Sequence, residues 1–164
     1  MKRIYSLIWA MVLCSGWQVV SAQEIYNFVL ENATRVANSP TSSFTQSRVA
    51  QFKRTTLTYI KLQALDNMTE LSGQFLDNQA FFLSEFLDAY FQTAYTSKKK
   101  SPERLKEIVE IFQNASFHNP LFDDDNVNET QAYVTEPNHI TPFSTNTDWQ
   151  KAYNEVRETL GLKR

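Results

Sequence analysis

The chain has 164 residues, with 16 basic and 18 acidic side chains, one cysteine and three glycines. That length suits one domain around a single core. Near-balanced charge with no concentrated basic face excludes nucleic acid as a partner, and the scarcity of glycine excludes a glycine-rich phosphate cradle and a nucleophile elbow.

The N-terminus reads as a secretory signal. Lys2 and Arg3 form a positive start, Leu7 to Cys14 an apolar stretch too short to span a bilayer, and Val20-Ser21-Ala22 a cleavage site of small residues. Cleavage is expected after Ala22, leaving one helical domain over residues 23–164 and no transmembrane segment. A competing reading, lipid anchoring at Cys14, meets Leu13 where a small residue belongs. An uncleaved membrane anchor is the third reading, and it is opposed by the polar break at Ser15, Gly16 and Gln18. Removing Lys2 and Arg3 from the 16 basic residues leaves 14 against 18 acidic ones, a net charge of −4. Cys14 leaves with the signal, and an exported chain without cysteine fits a bacterial periplasm or cell surface. Four Asn-x-Ser/Thr sites, at Asn32, Asn67, Asn114 and Asn128, would matter only in a eukaryotic host.

Tyr26, Val29, Leu30, Ala33, Val36 and Ala37 recur at helical spacing and predict a first helix over Gln23 to Ala37, stopped by Asn38-Ser39-Pro40. A Ser/Thr loop follows from Thr41 to Gln46. Ser47 to Asn67 is read as a helix despite the β-branched run Thr55-Thr56-Leu57-Thr58-Tyr59-Ile60, because a lone strand would have no partner. Gly73 marks the next connection, with Asp77 expected as N-cap.

Asp77 to Ser97 carries the pattern of a central buried helix. Leu76, Ala80, Leu83, Leu87, Tyr90, Phe91 and Ala94 share one arc, and Asn78, Glu85, Asp88, Gln92 and Thr96 lie opposite. Phe81 falls among the polar residues. Either a later segment covers it or it forms an exposed partner surface. Lys98-Lys99-Lys100 reads as a solvated turn, and Ser101-Pro102 opens a further helix whose apolar stripe is Leu105, Ile108, Val109, Phe112 and Ala115.

Phe117 to Asn146 breaks the periodicity. It holds Pro120, Pro137 and Pro142, both histidines and isolated apolar residues, and is expected to lie as a strap across the helices, with a short helix near Asn128 to Val134. Thr147-Asp148-Trp149-Gln150 then forms a capping box for a last helix, buried through Trp149, Ala152, Tyr153, Val156 and Leu160 and ended by Gly161. The expected fold is therefore all-α, an irregular bundle of about five helices with the strap packed over it.

Two motifs in the strap, one on the central helix and a set of aromatic residues in or beside the strap bear on chemistry. Asp124, Asn126 and Asn128 match the first ligand positions of a calcium loop, but Glu129 replaces the turn glycine and Thr135 the bidentate acid. His118 and His139, 21 residues apart, could join those acids only by converging across a loop. Glu85 and Asp88 are a carboxylate pair by spacing, of the kind a glycosidase uses, and also the normal content of a solvated helix face. Trp149, Tyr153, Tyr133 and Phe143 could stack on sugars, yet Trp149 and Tyr153 lie on the face assigned to the core. No residue is designated catalytic or cofactor-binding.

From Asn119 onward the order Asn119-Pro120-Leu121-Phe122, an acidic stretch, Thr141-Pro142-Phe143 and Thr147-Asp148-Trp149 resembles a set of small exported helical proteins from Bacteroidetes. The resemblance implies an envelope or secreted location and supplies no active site. The leading functional reading is an exported, non-enzymatic envelope accessory or binding protein with a protein or glycan partner. The alternative is a calcium- or glycan-binding protein using residues 123–129, and a carboxylate-based hydrolase comes third.

Overall fold

The computed structural model describes residues 23–68, 71–99, 101–123, 130–136 and 139–162. Among these it forms an all-α bundle of five helices, with a small hairpin packed against it. The order is α1 (Glu24–Ala37), α2 (Phe44–Asn67), α3 (Gly73–Lys98), α4 (Pro102–His118), β1 (Thr130–Glu136), β2 (His139–Ser144) and α5 (Trp149–Leu160). The signal-like segment, the Asp124-Asn126-Asn128 motif and the connection at 137–138 lie outside the described residues.

Helix α3 is the centre of the bundle and touches each of the other four helices. Leu76, Ala80, Leu83, Leu87 and Tyr90 are fully buried, as the periodicity predicts, and Phe86 joins them. Hydrogen bonds at both ends lay α1 antiparallel to α2: the Tyr26 hydroxyl donates to the Leu57 carbonyl and the Ser47 hydroxyl to the Ala37 carbonyl. Trp149 meets Gln79 and Tyr153 meets Glu85, so α5 runs parallel to α3.

The helix starts differ from several expectations. Helix α2 begins three residues early because Ser43 and Gln46 form a capping box, so the Ser/Thr loop ends at Ser43. Helix α3 begins at Gly73 with Ser72 as its cap, not at Asp77. The Asp77 carboxylate instead accepts a hydrogen bond from the Tyr26 backbone N–H at 2.8 Å. It thereby serves α1, whose own N-cap, Gln23, sits in the left-handed region at φ 89° and makes no side-chain cap. Helix α4 starts as expected at Ser101-Pro102. Helix α5 is capped by Asp148 rather than Thr147, and buried Gln79 adds a second cap by accepting from the Trp149 N–H. The Thr147 hydroxyl is drawn away to the Ser116 and Ser144 carbonyls. Gly161 ends the helix at φ 63°, a left-handed conformation that glycine adopts without a Cβ penalty.

The strap holds the largest correction. Instead of a short helix toward Val134 it contains an antiparallel pair, with Thr130 opposite Ser144, Ala132 opposite Pro142 and Val134 opposite Ile140. Proline is tolerated there because a two-stranded sheet leaves each strand an outer edge. Strand β1 lies against α2 and β2 against α4. The strap does cross the helices: Phe143 is fully buried, 5.5 Å from Phe86 and 5.3 Å from Tyr90 between ring centres. The Tyr90 and Thr141 hydroxyls are 2.6 Å apart, so the one polar atom of that central ring is satisfied by the strap.

Two buried polar atoms, Thr56 Oγ1 and Trp149 Nε1, have no hydrogen-bond partner among the described residues. A buried hydroxyl without a partner keeps its desolvation cost. Thr56→Val, which exchanges that hydroxyl for a methyl of similar size, should therefore stabilise the fold by about 1 kcal/mol. Urea unfolding checks this, with a higher midpoint and an unchanged slope as the expected result.

Candidate functional site

The bundle covers α3 on most sides and leaves one face with the polar residues Asn78, Glu85, Asp88, Gln92 and Thr96. Phe81 belongs to this face and is 45% exposed. It is not covered by the strap. Its ring stands edge-on to Phe82 at 5.2 Å, Phe82 lies 5.9 Å from Tyr153, and the Arg157 guanidinium sits over Tyr153 at 5.6 Å. A row of rings thus leads from the shoulder of α5 out to solvent at Phe81.

Beside this row is a cleft of about 510 Å³, lined by Glu85, Asp88, Gln92, Arg104 and Tyr153 among others. The Tyr153 hydroxyl donates to Glu85 at 3.3 Å. Burial, then the neighbouring Glu85 charge, pushes the Tyr153 hydroxyl above its usual value, while Arg157 opposes the shift. Glu85 and Asp88 are therefore brought to one cleft, as their spacing implied. Both project from the same helix, three residues apart, so they share a wall. The facing walls are built by Arg104, Tyr153, Leu160 and Leu162, none of them a carboxylate, and hydrolysis with two carboxylates needs them to flank the bond from either side.

A second cleft, of about 360 Å³, opens where α1, α2 and α3 meet. Its walls are mainly Ala33, Val36, Val49, Ala50 and Phe91, and Lys53 stands in its lining. Lys53 arises from the flank of α2 that faces α3, and its ammonium donates to Ser84 Oγ at 3.3 Å. Burial lowers its pKa from the ordinary value of 10.5, and Asp88 and then Glu85 pull it part of the way back. The Ser84 contact fixes the position of the Lys53 ammonium beside α3.

This arrangement has a consequence for stability. The unfolded chain keeps the Lys53 proton up to about 10.5, whereas the folded chain releases it at lower pH. The unfolded state therefore binds more protons between the two values, and stability from this group rises with pH through that window and is lost as pH falls. Lys53→Met should raise the melting temperature at pH 7, and the gain should shrink as pH approaches 10.5. Thermal melts of both proteins from pH 7 to 10.5 measure the difference, which cancels the opposite trend from Tyr26, whose pKa burial raises.

Of the other sequence-predicted residues, Trp149 and Phe143 are fully buried and unable to serve as sugar platforms. His118 is exposed at the end of α4, and Asp123 is exposed at the edge of the described residues. Among the described residues no group of three or more His, Cys, Asp and Glu could hold a metal ion, and no helix is long and apolar enough to cross a membrane. Sequence reasoning overlooked Lys53 entirely. Its only local signal was a lysine on the flank of a helix otherwise rich in core positions, Ala50, Phe52, Leu57 and Ile60.

Comparison with protein-family models, curated proteins and solved structures yields no significant match for this chain.

Proposed function

We propose that this chain is an exported, non-enzymatic binding protein of the bacterial envelope that acts through the open face of α3. The observation that carries the reading is Phe81. A large ring held 45% exposed on the polar face of the central helix, and backed by a row of further rings, leaves nearly half its surface for a partner to cover as an aromatic anchor. Glu85, Asp88 and Gln92 line the cleft that Tyr153, the last ring of the row, also lines, and they supply polar groups farther along the same helix. Export rests on the Lys2-Arg3 start and the Val20-Ser21-Ala22 cleavage site, with a periplasmic or secreted product beginning at Gln23. The similarity to small exported helical proteins from Bacteroidetes points the same way.

The experiment is co-purification from the envelope of a Gram-negative host, comparing the natural chain with Phe81→Ser, after N-terminal sequencing of the exported protein. The reading expects Gln23 at the N-terminus and a defined partner whose recovery falls at least tenfold with Phe81→Ser while the melting temperature holds. Retention of the chain in the cytoplasm, or equal recovery with both proteins, contradicts it. The calcium alternative at Asp124, Asn126 and Asn128 is tested by melting with calcium and with a chelator, since a ligand of the folded state raises its stability. An unchanged midpoint removes that alternative.

A further inference from the structure

We propose that the open face of α3 pairs with the same face of a second copy of this chain, the two α3 helices lying antiparallel about a two-fold axis. The inference rests on the reading of this face as a binding surface and names what it binds. Phe81, Glu85, Asp88, Gln92, Tyr95 and Lys99 follow one another at alternating spacings of four and three residues. That alternation is the seam along which two helices pack side by side. All but the half-buried Glu85 are exposed, Phe81 at 45% and Tyr95 at 65%, so the seam stands at the surface over a length of about 27 Å.

The seam is complementary to itself. With all six positions overlapping in antiparallel register, Phe81 meets the partner's Lys99, Glu85 meets the partner's Tyr95 and Asp88 meets the partner's Gln92, each contact occurring twice by symmetry. Every layer then joins unlike groups: a ring with an ammonium, a carboxylate with a phenol, a carboxylate with an amide. The groups are free to meet. Lys99 Nζ lies over its own Tyr95 ring at 4.2 Å, which places the ammonium on the seam. The side chains of Asp88, Gln92 and Tyr95 make no hydrogen bond or ion pair among the described residues, and Glu85 accepts only from the Tyr153 hydroxyl. Other pairings fail on charge or overlap. Parallel helices would set Glu85, Asp88 and Lys99 each against its own copy. Sliding the antiparallel pair by seven residues either sets Glu85 against the partner's Asp88 or carries Phe81 and Glu85 past the end of the facing helix.

Sedimentation equilibrium of the purified protein, from about 1 µM to about 1 mM, tests the pairing. The natural chain should pass from monomer to dimer within this range. Gln92→Asp sets carboxylate against carboxylate in two layers and should weaken association at least tenfold. The double variant Asp88→Gln with Gln92→Asp exchanges the two groups and restores unlike pairing, so its association should return to within about threefold of the natural chain. Phe81→Ser should also weaken association at least tenfold. All three altered positions are exposed, and melting of each variant at low concentration verifies that it is folded. A chain that stays monomeric throughout, a dimer unmoved by Gln92→Asp, or a double variant that fails to recover would each overturn the proposal. These outcomes are distinct from failure of the open face as a binding surface, which shows as equal recovery of an envelope partner with the natural chain and with Phe81→Ser.

Discussion

Replacing Phe86 with alanine should destabilise the protein by about 3–5 kcal/mol. Phe86 is fully buried on α3 and stands edge-on to three rings, Phe112 of α4 at 5.1 Å, Phe143 of β2 at 5.5 Å and Trp149 of α5 at 5.2 Å. Each neighbour belongs to a different element, so no single side-chain shift can refill the space. Removal therefore opens a cavity and loosens the joint between the helices and the strap at once. Domains of this size are stable by only about 5–15 kcal/mol, so the variant should lie near the edge of folding. Urea unfolding followed by near-ultraviolet circular dichroism reads the loss. Phe81→Ala, made as the control, should change stability by less than about 1 kcal/mol, because its ring is already 45% exposed.

The second large effect is expected at Asn146. This buried side chain takes hydrogen bonds from the Leu121 and Phe122 N–H groups, at 3.2 and 2.9 Å, and donates to the Phe122 carbonyl at 2.9 Å. It stands where a neighbouring strand would otherwise pair with the backbone leaving α4. Asn146→Ala leaves three backbone polar groups without partners, two of them donors. Since Leu121 and Phe122 are themselves only half-buried and water can reach part of the site, the expected cost is about 2–3 kcal/mol rather than the full sum. Hydrogen exchange locates the effect: the Leu121 and Phe122 amides should lose protection while the amides of α1 keep theirs.

The contrast between these residues shows what was legible in the sequence. Phe86 lies in a helix whose apolar residues recur at the helical period, and that recurrence marks α3 as central from the sequence alone. The β-branched run at Thr55 to Ile60 also folded as helix, since Leu57 and Ile60, three apart, fill the core on one helical face, although strand β1 does lie against this helix. The hairpin was not legible. Alternation is present in β2, where Thr141 and Phe143 are buried and Pro142 between them is not, but it spans too few residues to stand out, and Pro142 argues against a strand.

Capping residues were recognised by type and misassigned by target. Asp77 does cap a helix N-terminus, but that of α1, 51 residues earlier in sequence. Thr147 precedes a helix as a capping residue should, yet its hydroxyl is engaged by α4 and β2, leaving the cap to Asp148. Both errors have one cause: a local rule identifies a side chain able to satisfy orphan backbone groups, and tertiary packing decides which groups those are. For the candidate site the same limit applies. The Glu85 and Asp88 pair was visible as a spacing on the polar face and Phe81 as a departure from the helix pattern, whereas the Lys53 cleft depends on how three helices meet.

The central claim is that the open face of α3 is the working surface of an exported binding protein. Photo-reactive residues placed one at a time at Phe81, Glu85 and Gln92, and as controls at the exposed Glu107 and Glu110 of α4, test it most directly in the living envelope. The account predicts a discrete cross-linked product from the α3 positions, strongest at Phe81, and none from α4. Equal products from both helices, or none from either, would contradict it.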